Sequence, residues 1–223
     1  MCGIVGYIGE KPVYDILING LKKLEYRGYD SAGVMVYNNE LLIKKSKGKV
    51  SNLENLFSNE KDKKGKIGIG HTRWATHGPP NQVNSHPHVS NSGEISLVHN
   101  GIIENYGSIK KILLKKGYTF SSDTDSEVLV NLIEDIKKSK KIKLGKAVYY
   151  ALKQVVGAYA IVAFDSTNPK ELVGARLGSP LAIGVGESEY YFGSDATPFL
   201  EFTKRCVYLN DNEMVIVNLK KGL

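Results

Sequence analysis

The sequence contains little cysteine and little arginine, and each scarcity excludes a class of protein. Two cysteines, Cys2 and Cys206, among 223 residues cannot form a disulfide framework, so we predict a reducing compartment, the cytoplasm. Only four of the 30 basic residues are arginine, and the lysine runs lack the arginine forks and interleaved aromatics of nucleic-acid readers. The net charge of +7 therefore indicates solvated faces, and we predict no nucleic-acid partner.

Long apolar runs are also missing. No segment approaches the ~20 consecutive apolar residues of a membrane-spanning helix, and no basic-then-apolar secretory leader opens the chain, so we predict no membrane partner. Hydrophobic residues make up 42% of the sequence and charged residues 24%, which is typical of a globular protein with a core. No repeat, low-complexity block or linker divides the sequence, and we predict one domain over residues 1–223.

Strand patterns dominate both ends of the chain, whereas helical patterns cluster in the middle. This order predicts an α+β fold in which helices cover antiparallel sheets. Residues 75–93 are predicted as a long polar loop, and Ser51 begins a capping box for a short helix. The other predicted helices are 13–24, 105–116, 126–138 and 144–155, and the predicted strands are 3–9, 34–37, 41–45, 66–71, 94–99, 159–165, 171–176, 181–185, 190–192 and 214–218.

Cys2 directly follows the initiator methionine, which is usually removed before a small side chain. Removal would leave Cys2 with a free α-amino group, whose pKa of roughly 7.7–8.0 lets it accept the thiol proton near neutral pH. A nucleophile and its base would then share one residue. The alternative is a small buried side chain at the start of a strand, as most free cysteines are.

All five histidines fall within residues 71–99, at His71, His77, His86, His88 and His99. This window contains a single carboxylate and no cysteine, and it lacks the ligand spacing of a zinc site. We therefore predict no metal ion and no cofactor. The histidines are expected to hydrogen-bond across the polar loop and to shape it.

Two short segments carry groups suited to binding a charged ligand. Arg73 follows a predicted strand and could hold a carboxylate bidentately, with Thr76 adding a hydroxyl and Trp74 an apolar cover. Alternatively, Arg73 forms a structural ion pair beside a buried tryptophan. Asn100 and Gly101 could present two N–H donors to an oxyanion, or they form an ordinary Asn-Gly turn.

An acidic segment precedes the predicted helix 126–138. Asp125 could bind an ammonium group or cap that helix, and the two roles are compatible if Asp123 or Ser122 is the cap. A thiol with its own base, an oxyanion pair, an arginine for a carboxylate and an aspartate for an ammonium group describe an amidase for a free amino acid. Glutamine fits, because its side chain ends in an amide.

Five segments closely resemble the N-terminal part of the glutamine–fructose-6-phosphate aminotransferase family. They read MCGIVG at 1–6, EYRGYDSAG at 25–33, HTRWATHG at 71–78, NSHPH at 84–88 and HNGIIEN at 99–105. The resemblance extends from Cys2 to about Asn218. Other glutamine amidotransferases with an N-terminal cysteine share the start and the Asn-Gly pair, but they do not usually combine these tyrosine, tryptophan and His-Pro-His segments.

The resemblance implies a fold and a set of roles. The implied fold is the N-terminal nucleophile hydrolase sandwich, four αββα layers with two antiparallel sheets inside. Cys2 would form a γ-glutamyl thioester and release ammonia, while Asn100 and Gly101 stabilise the oxyanion. The implied substrate-binding residues are Arg73, Thr76 and His77 at the α-carboxylate, Asp125 at the α-ammonium group, Trp74 on a closing loop and Arg27 at the chain terminus.

The family continues into sugar-isomerase domains, which bind fructose 6-phosphate and use the ammonia to make glucosamine 6-phosphate. This chain stops at Leu223, so we expect the glutaminase part alone, with those domains as partners in a full-length homodimer. One alternative is an amidotransferase with another acceptor, such as a phosphoribosyl compound. Another is a non-catalytic glutamine-sensing module, if Met1 is retained.

Overall fold

Two antiparallel sheets form the centre of the fold. The structure, a computed structural model, describes residues 2–57, 63–75 and 78–222. Its strands are β1 (Gly3–Ile8), β2 (Ser31–Tyr37), β3 (Leu41–Lys47), β4 (Ile67–Arg73), β5 (His88–Val89), β6 (Ile95–Ile103), β7 (Gly157–Asp165), β8 (Glu171–Leu177), β9 (Ala182–Val185), β10 (Tyr190–Gly193), β11 (Cys206–Tyr208) and β12 (Met214–Asn218). Its helices are α1 (Val13–Leu24), α2 (Val50–Glu54), α3 (Tyr106–Lys115), α4 (Asp125–Lys140) and α5 (Leu144–Leu152), with a 3₁₀ turn at Glu25–Arg27.

The layers stack as helices, sheet, sheet and helices. The seven-stranded sheet has the order β11-β9-β10-β1-β4-β2-β3, and the five-stranded sheet has the order β12-β8-β7-β6-β5. α1 and α2 cover the first sheet, while α3, α4 and α5 cover the second. The predicted α+β class and the four-layer αββα arrangement are confirmed.

Alternating side chains bind the layers together. In β1, Val5 and Tyr7 join the apolar cluster beneath α1, whereas Ile4 and Ile8 join the cluster between the two sheets. Successive residues of a strand point to opposite faces, so a strand covered on both sides is apolar throughout. β1 is therefore fixed in the middle of the sandwich, and with it Cys2, the residue immediately before it.

The longest helix, α4, lies on the five-stranded sheet and has 16 residues. Leu129, Leu132, Ile133 and Ile136 are buried together in the core on this side, as the helical spacing predicts. Across the described parts of the chain, none of the helices has the length and apolar character needed to cross a bilayer.

Two short strands are absent from the predicted pattern. β5 lies within the predicted loop 75–93, and β11 lies between two predicted strands. They have only two and three residues, which is too few for an alternating pattern to be recognised. By contrast, the bounds of α1 agree with the prediction at both ends, because a long periodic segment carries a strong local signal. The bounds of β12 also agree.

The capping box predicted at Ser51 is wrong. α2 begins at Val50, and Lys49 occupies the N-cap without a side-chain hydrogen bond. Instead, Glu25 Oε1 accepts the backbone N–H of Val50 at 2.8 Å. A carboxylate from a distant segment thus satisfies the first donor of this helix, and local sequence could not indicate it.

Three strand ends and one helix start converge at one side of the sandwich. Gly3 at the start of β1 pairs with Thr72 near the end of β4. β6 approaches both strands from the opposite sheet, and α4 packs on β6. Residues that directly precede β1, end β4, lie late in β6 or begin α4 are thereby brought together.

Candidate active site

A cavity of about 340 Å³ opens at this convergence. Seven of the nine residues that the sequence singles out for catalysis or substrate binding line this cavity. Thr76 and His77, the other two, lie outside the residues that the structure describes. The lining residues are Cys2, Arg27, Arg73, Trp74, His86, His99, Asn100, Gly101, Ile102, Thr124, Asp125, Ser126, Ser179 and Pro180.

The Cys2 thiol is held against the backbone of Trp74. The Trp74 N–H donates to Cys2 Sγ at 3.1 Å, and Sγ lies 3.5 Å from the Trp74 carbonyl oxygen. Burial raises the pKa of the Cys2 thiol, and the N–H bond from Trp74 opposes this only in part. The thiol therefore needs a base to become a good nucleophile.

The backbone carbonyl of Cys2 is fixed from two directions. Arg27 Nε donates to it at 3.1 Å, and Asn100 Nδ2 donates at 3.2 Å. Arg27 Nη1 is in turn paired with Asp195 Oδ2 at 3.1 Å. Burial opposes ionisation of Asp195, but hydrogen bonds from Thr197 and Tyr26 and the charge of Arg27 hold its pKa below the usual value. The arginine thus anchors the segment that carries the thiol.

Arg73 combines features of both roles considered from the sequence. Its side chain is only 4% exposed, and it lines the cavity. Nη2 donates to the carbonyl of Gly78 at 3.1 Å and Nη1 to that of Pro79 at 3.3 Å, while Asp30 Oδ1 lies 3.9 Å from Nη1. The guanidinium is therefore held in place while it borders the cavity. The neighbouring Trp74 is 56% exposed, so the alternative of an ion pair beside a buried tryptophan is wrong about the tryptophan.

Asn100 and Gly101 belong to β6, so the alternative of an Asn-Gly turn is wrong. The predicted strand ended at residue 99, whereas β6 continues to Ile103. Gly101 has a φ of +125°, and a Cβ there would lie 2.1 Å from the carbonyl oxygen of Ala158 on β7. Glycine is thus required by the neighbouring strand and by the backbone angle, and not only by access to a ligand.

The Asn100 amide is fully bonded in this structure. Its Oδ1 lies 2.8 Å from His71 Nε2, and its Nδ2 donates to the Cys2 carbonyl and, at 3.0 Å, to Ser194 Oγ. Ser194 Oγ also accepts the backbone N–H of Ile4 at 2.8 Å. Ser194 links β1, β10 and β6, and the sequence gives no signal for this role.

Asp125 is the first residue of α4 and is 3% exposed. Its Oδ2 accepts the backbone N–H of Ile103 at 2.7 Å, at the end of β6. Thr124 is the N-cap of the helix and accepts the N–H of Glu127 at 3.2 Å. Neither Asp123 nor Ser122 caps the helix, but because Thr124 does, Asp125 is not needed as the cap. Its carboxylate borders the cavity.

The four histidines within the described residues pack around one another. His71 stacks on His86 with ring centroids 4.1 Å apart, and His86 meets the edge of His88 at 4.7 Å. His88 Nε2 lies 3.0 Å from Thr124 Oγ1, and His99 Nδ1 lies 2.8 Å from Ser126 Oγ. The sequence predicts that the histidines hydrogen-bond across the polar loop and shape it. His86 and His88 of that segment do form such bonds, to the N–H of His99 and to Thr124, whereas His71 and His99 lie in β4 and β6.

Burial determines the charge of this histidine group. It lowers the pKa of His71 to about 3 and holds the pKa values of His86 and His88 well below the usual value. Within residues 2–57, 63–75 and 78–222, no group of three or more histidine, cysteine, aspartate or glutamate side chains is arranged to hold a metal ion. The rings of His71, His86 and His88 are therefore neutral packing and hydrogen-bonding groups.

A family model described as a glutamine amidotransferase domain matches residues 51–219. The matched stretch contains Arg73, Asn100, Gly101 and Asp125, whereas Cys2 lies before it. An amidotransferase with an N-terminal nucleophile hydrolase fold is thus the class that the sandwich and the cavity define. The chain belongs to the glutamine amidotransferase domain family.

Curated relatives extend this likeness over the whole chain. Glutamine–fructose-6-phosphate aminotransferase (isomerizing) from Bacteroides thetaiotaomicron is 55% identical over all of this chain. The enzyme of the same name from Chlorobaculum tepidum is 53% identical over 97% of it. The chain spans about 36% of the length of both relatives. The resemblance seen in the sequence motifs is confirmed.

Solved structures share the fold. The glutamine phosphoribosylpyrophosphate amidotransferase from B. subtilis complexed with ADP and GMP superposes with a TM-score of 0.81 at 30% identity, over 99% of this chain and 48% of that one. A glutamine aminotransferase class-II domain protein from Silicibacter pomeroyi superposes with a TM-score of 0.66 at 15% identity, over 98% and 96% of the two chains. At that identity the second likeness concerns the fold alone.

Proposed function

We propose that this domain hydrolyses L-glutamine to L-glutamate and ammonia, with Cys2 as the nucleophile. One observation carries the proposal: a single cavity of about 340 Å³ is lined by Cys2, Arg73, Asn100, Gly101 and Asp125. These groups come from β4, β6, α4 and the residue before β1. Their chemistry matches the two ends of a free amino acid and the amide of its side chain.

In the proposed reaction, the α-amino group of Cys2, freed by removal of Met1, accepts the thiol proton directly or through a water molecule. The sulfur attacks the side-chain amide carbon of glutamine and forms a tetrahedral oxyanion. When the oxyanion collapses, the C–N bond breaks and the nitrogen leaves as ammonia with the transferred proton. Water then attacks the γ-glutamyl thioester, the S–C bond breaks, and glutamate leaves the restored thiol.

Charge complementarity supports the proposed orientation of glutamine. Arg73 offers a guanidinium that backbone carbonyls already hold in position, and it would bind the α-carboxylate. Asp125 offers a buried carboxylate whose second oxygen is not engaged by Ile103, and it would bind the α-ammonium group. Thr76 and His77 would assist Arg73, and Trp74 would cover the bound substrate.

Oxyanion stabilisation is assigned to Asn100 and Gly101. The Asn100 amide now donates one hydrogen to the Cys2 carbonyl over 3.2 Å, a long contact that an oxyanion could replace. A charged acceptor forms the stronger hydrogen bond, so this exchange would favour the transition state over the free enzyme. Arg27 keeps the Cys2 carbonyl anchored while that hydrogen is redirected.

For the complete protein, we propose that the ammonia passes to fructose 6-phosphate and yields glucosamine 6-phosphate. The names of the relatives and the 36% share of their length support this extension. Residues 1–223 would then be one glutaminase domain, followed by sugar-isomerase domains, in a cytoplasmic homodimer. Another acceptor, such as a phosphoribosyl compound, is the alternative raised by the solved structure at 30% identity. Supply of each acceptor to the full-length protein, with detection of the aminated product, separates the two.

A chloroketone analogue of glutamine tests the nucleophile. We expect intact mass to show one adduct per chain, on Cys2, with loss of glutaminase activity at the same rate. Cys206 is the matched control because it is also a free thiol, so Cys206→Ser should be labelled and active like the wild type. An adduct on Cys206, or full turnover by Cys2→Ala, contradicts the proposal.

The freed amine is tested separately. Insertion of one alanine between Met1 and Cys2 leaves the thiol but converts its amine to an amide. Because a positioned base typically contributes 10²–10⁴-fold, turnover should fall by roughly that factor while glutamine still binds. Binding without turnover in the unmodified protein, together with a retained Met1, would instead identify a glutamine-sensing module. Full activity of the extended form would overturn the mechanism.

A further inference from the structure

His71 reaches from one sheet to the other and contacts the proposed oxyanion residue. It lies in β4 of the seven-stranded sheet and pairs with Ile4 of β1. Its Nε2 lies 2.8 Å from Asn100 Oδ1 and 3.1 Å from the His99 carbonyl oxygen, both on β6 of the five-stranded sheet. The ring is 1% exposed and is clamped by the stack on His86.

The partners of His71 determine which ring nitrogen carries the hydrogen. Both oxygens near Nε2 are acceptors, so Nε2 must be the donor. Nδ1 has no hydrogen-bond partner among the described residues and is buried, which suits an unprotonated nitrogen. With its pKa lowered to about 3 by burial, the ring is neutral near neutral pH. It therefore acts as a fixed N–H donor and does not transfer protons.

This donor decides how the Asn100 amide is turned. An asparagine amide can rotate by half a turn, which exchanges its oxygen and nitrogen. A donor at His71 Nε2 favours the oxygen on that side, so Nδ2 faces Cys2. Ser194 does not select between the two orientations, because its hydroxyl can accept or donate. The Cys2 carbonyl does select, but its 3.2 Å bond is the one that the oxyanion would replace.

We propose that His71 is a positioning residue, which keeps the N–H of Asn100 directed at the oxyanion through an Nε2–H bond to its side-chain oxygen. The inference rests on the proposed glutaminase function. It adds a residue that touches neither substrate nor thiol and acts only through Asn100. Without this donor, the amide oxygen is left buried and unsatisfied, and the reversed amide would point its oxygen at a developing negative charge.

Three variants test this inference. His71→Leu removes the donor, and His71→Gln places an amide N–H near the position of Nε2. His71→Asn has the same amide on a side chain one methylene shorter. We expect His71→Leu and His71→Asn to lower kcat by roughly 10- to 100-fold with KM little changed, since loss of an oxyanion donor costs about 10²–10³. His71→Gln should restore most of the rate. If His71→Leu does not fold, His71→Asn serves in its place.

A second readout separates positioning from general damage. Iodoacetamide alkylates the Cys2 thiol without forming an oxyanion, so its rate should be equal in wild type and variants. In the Asn100→Ala background, His71→Leu should have almost no further effect on kcat, because residues that act as a unit are not additive. Three results would overturn the inference: an alkylation rate that falls as much as kcat, a loss from His71→Leu that adds in full to that of Asn100→Ala, or a His71→Gln variant that is as slow as His71→Leu. Lack of glutaminase activity in the wild type would instead refute the proposed function.

Discussion

The backbone N–H of Trp74 lies 3.1 Å from the sulfur of Cys2, although the two residues are 72 positions apart. The register of β1 on β4 causes this contact, because Gly3 pairs with Thr72 and the residues beyond the pair must meet. The indole ring covers Gly28, which follows the 3₁₀ turn and has a φ of +107°. The Cys2 thiol, Trp74 and the segment of Arg27 and Gly28 are therefore in direct contact with one another.

Gly28→Ala should displace the indole ring. A Cβ at this position would lie 2.5 Å from Trp74 Cε3, and its backbone angle disfavours alanine by about 1–3 kcal/mol. Because Trp74 is the single tryptophan, its fluorescence emission should shift and KM for glutamine should rise. Gly93→Ala is the control, since Gly93 has a φ of +79° and open space around it. An unchanged spectrum for Gly28→Ala would contradict the packing of the indole ring on Gly28. An unchanged KM would contradict the proposal that Trp74 covers the bound substrate.

Asp125→Asn should weaken glutamine binding specifically at the ammonium group. The substitution keeps an oxygen for the N–H of Ile103 but removes the charge, so loss of a buried charge pair of about 2 kcal/mol should raise KM about 30-fold or more. Asp123→Asn, two residues before Asp125 and exposed, should leave KM unchanged. A glutamine analogue without the α-amino group should be processed equally by wild type and Asp125→Asn. If the wild type processed this analogue faster than Asp125→Asn does, Asp125 would not act through the ammonium group.

Gly101→Ala should be strongly destabilising. The new Cβ would lie 2.1 Å from the Ala158 carbonyl oxygen, so β6 and β7 would have to separate next to Asn100. We expect a lower Tm and loss of glutaminase activity. Gly107→Ala in α3 meets no atom within 4 Å and should raise the free energy of unfolding by up to about 1 kcal/mol, as alanine favours helix. Equal melting temperatures for the two variants would contradict the geometry of β6.

Acid should destabilise the fold through the buried histidines. The folded-state pKa of His71 is about 3, and those of His86 and His88 are also lowered, whereas an unfolded histidine titrates near 6.5. Below pH ~6.5 the unfolded chain binds protons that the folded chain does not, so stability falls as pH falls, by up to about 1.4 kcal/mol per pH unit for each histidine. Urea unfolding between pH 6.5 and 5 measures this slope. His71→Gln should make it shallower, and an identical slope would contradict a neutral His71.

Local patterns predicted most of the secondary structure. The apolar stripe of α1 and the spacing of Leu129, Ile133 and Ile136 in α4 arise within each segment, so a single sequence reveals them. Two errors fall where a distant segment decides: Glu25 accepts the first N–H of α2, and pairing with β7 extends β6 through Asn100 to Ile103. A third is local, because Thr124 rather than its acidic neighbours caps α4.

The sequence by itself determined the chemistry available to this protein: a cysteine next to the initiator methionine, an arginine, an Asn-Gly pair and an aspartate. Only the tertiary structure decided that these groups share one cavity and how each is turned. The bond between Asn100 and Ser194 spans 94 positions, and that between Asn100 and His71 crosses from one sheet to the other. Such contacts depend on strand register and sheet packing, which are set by long-range burial and hydrogen bonding, and no local periodicity encodes them.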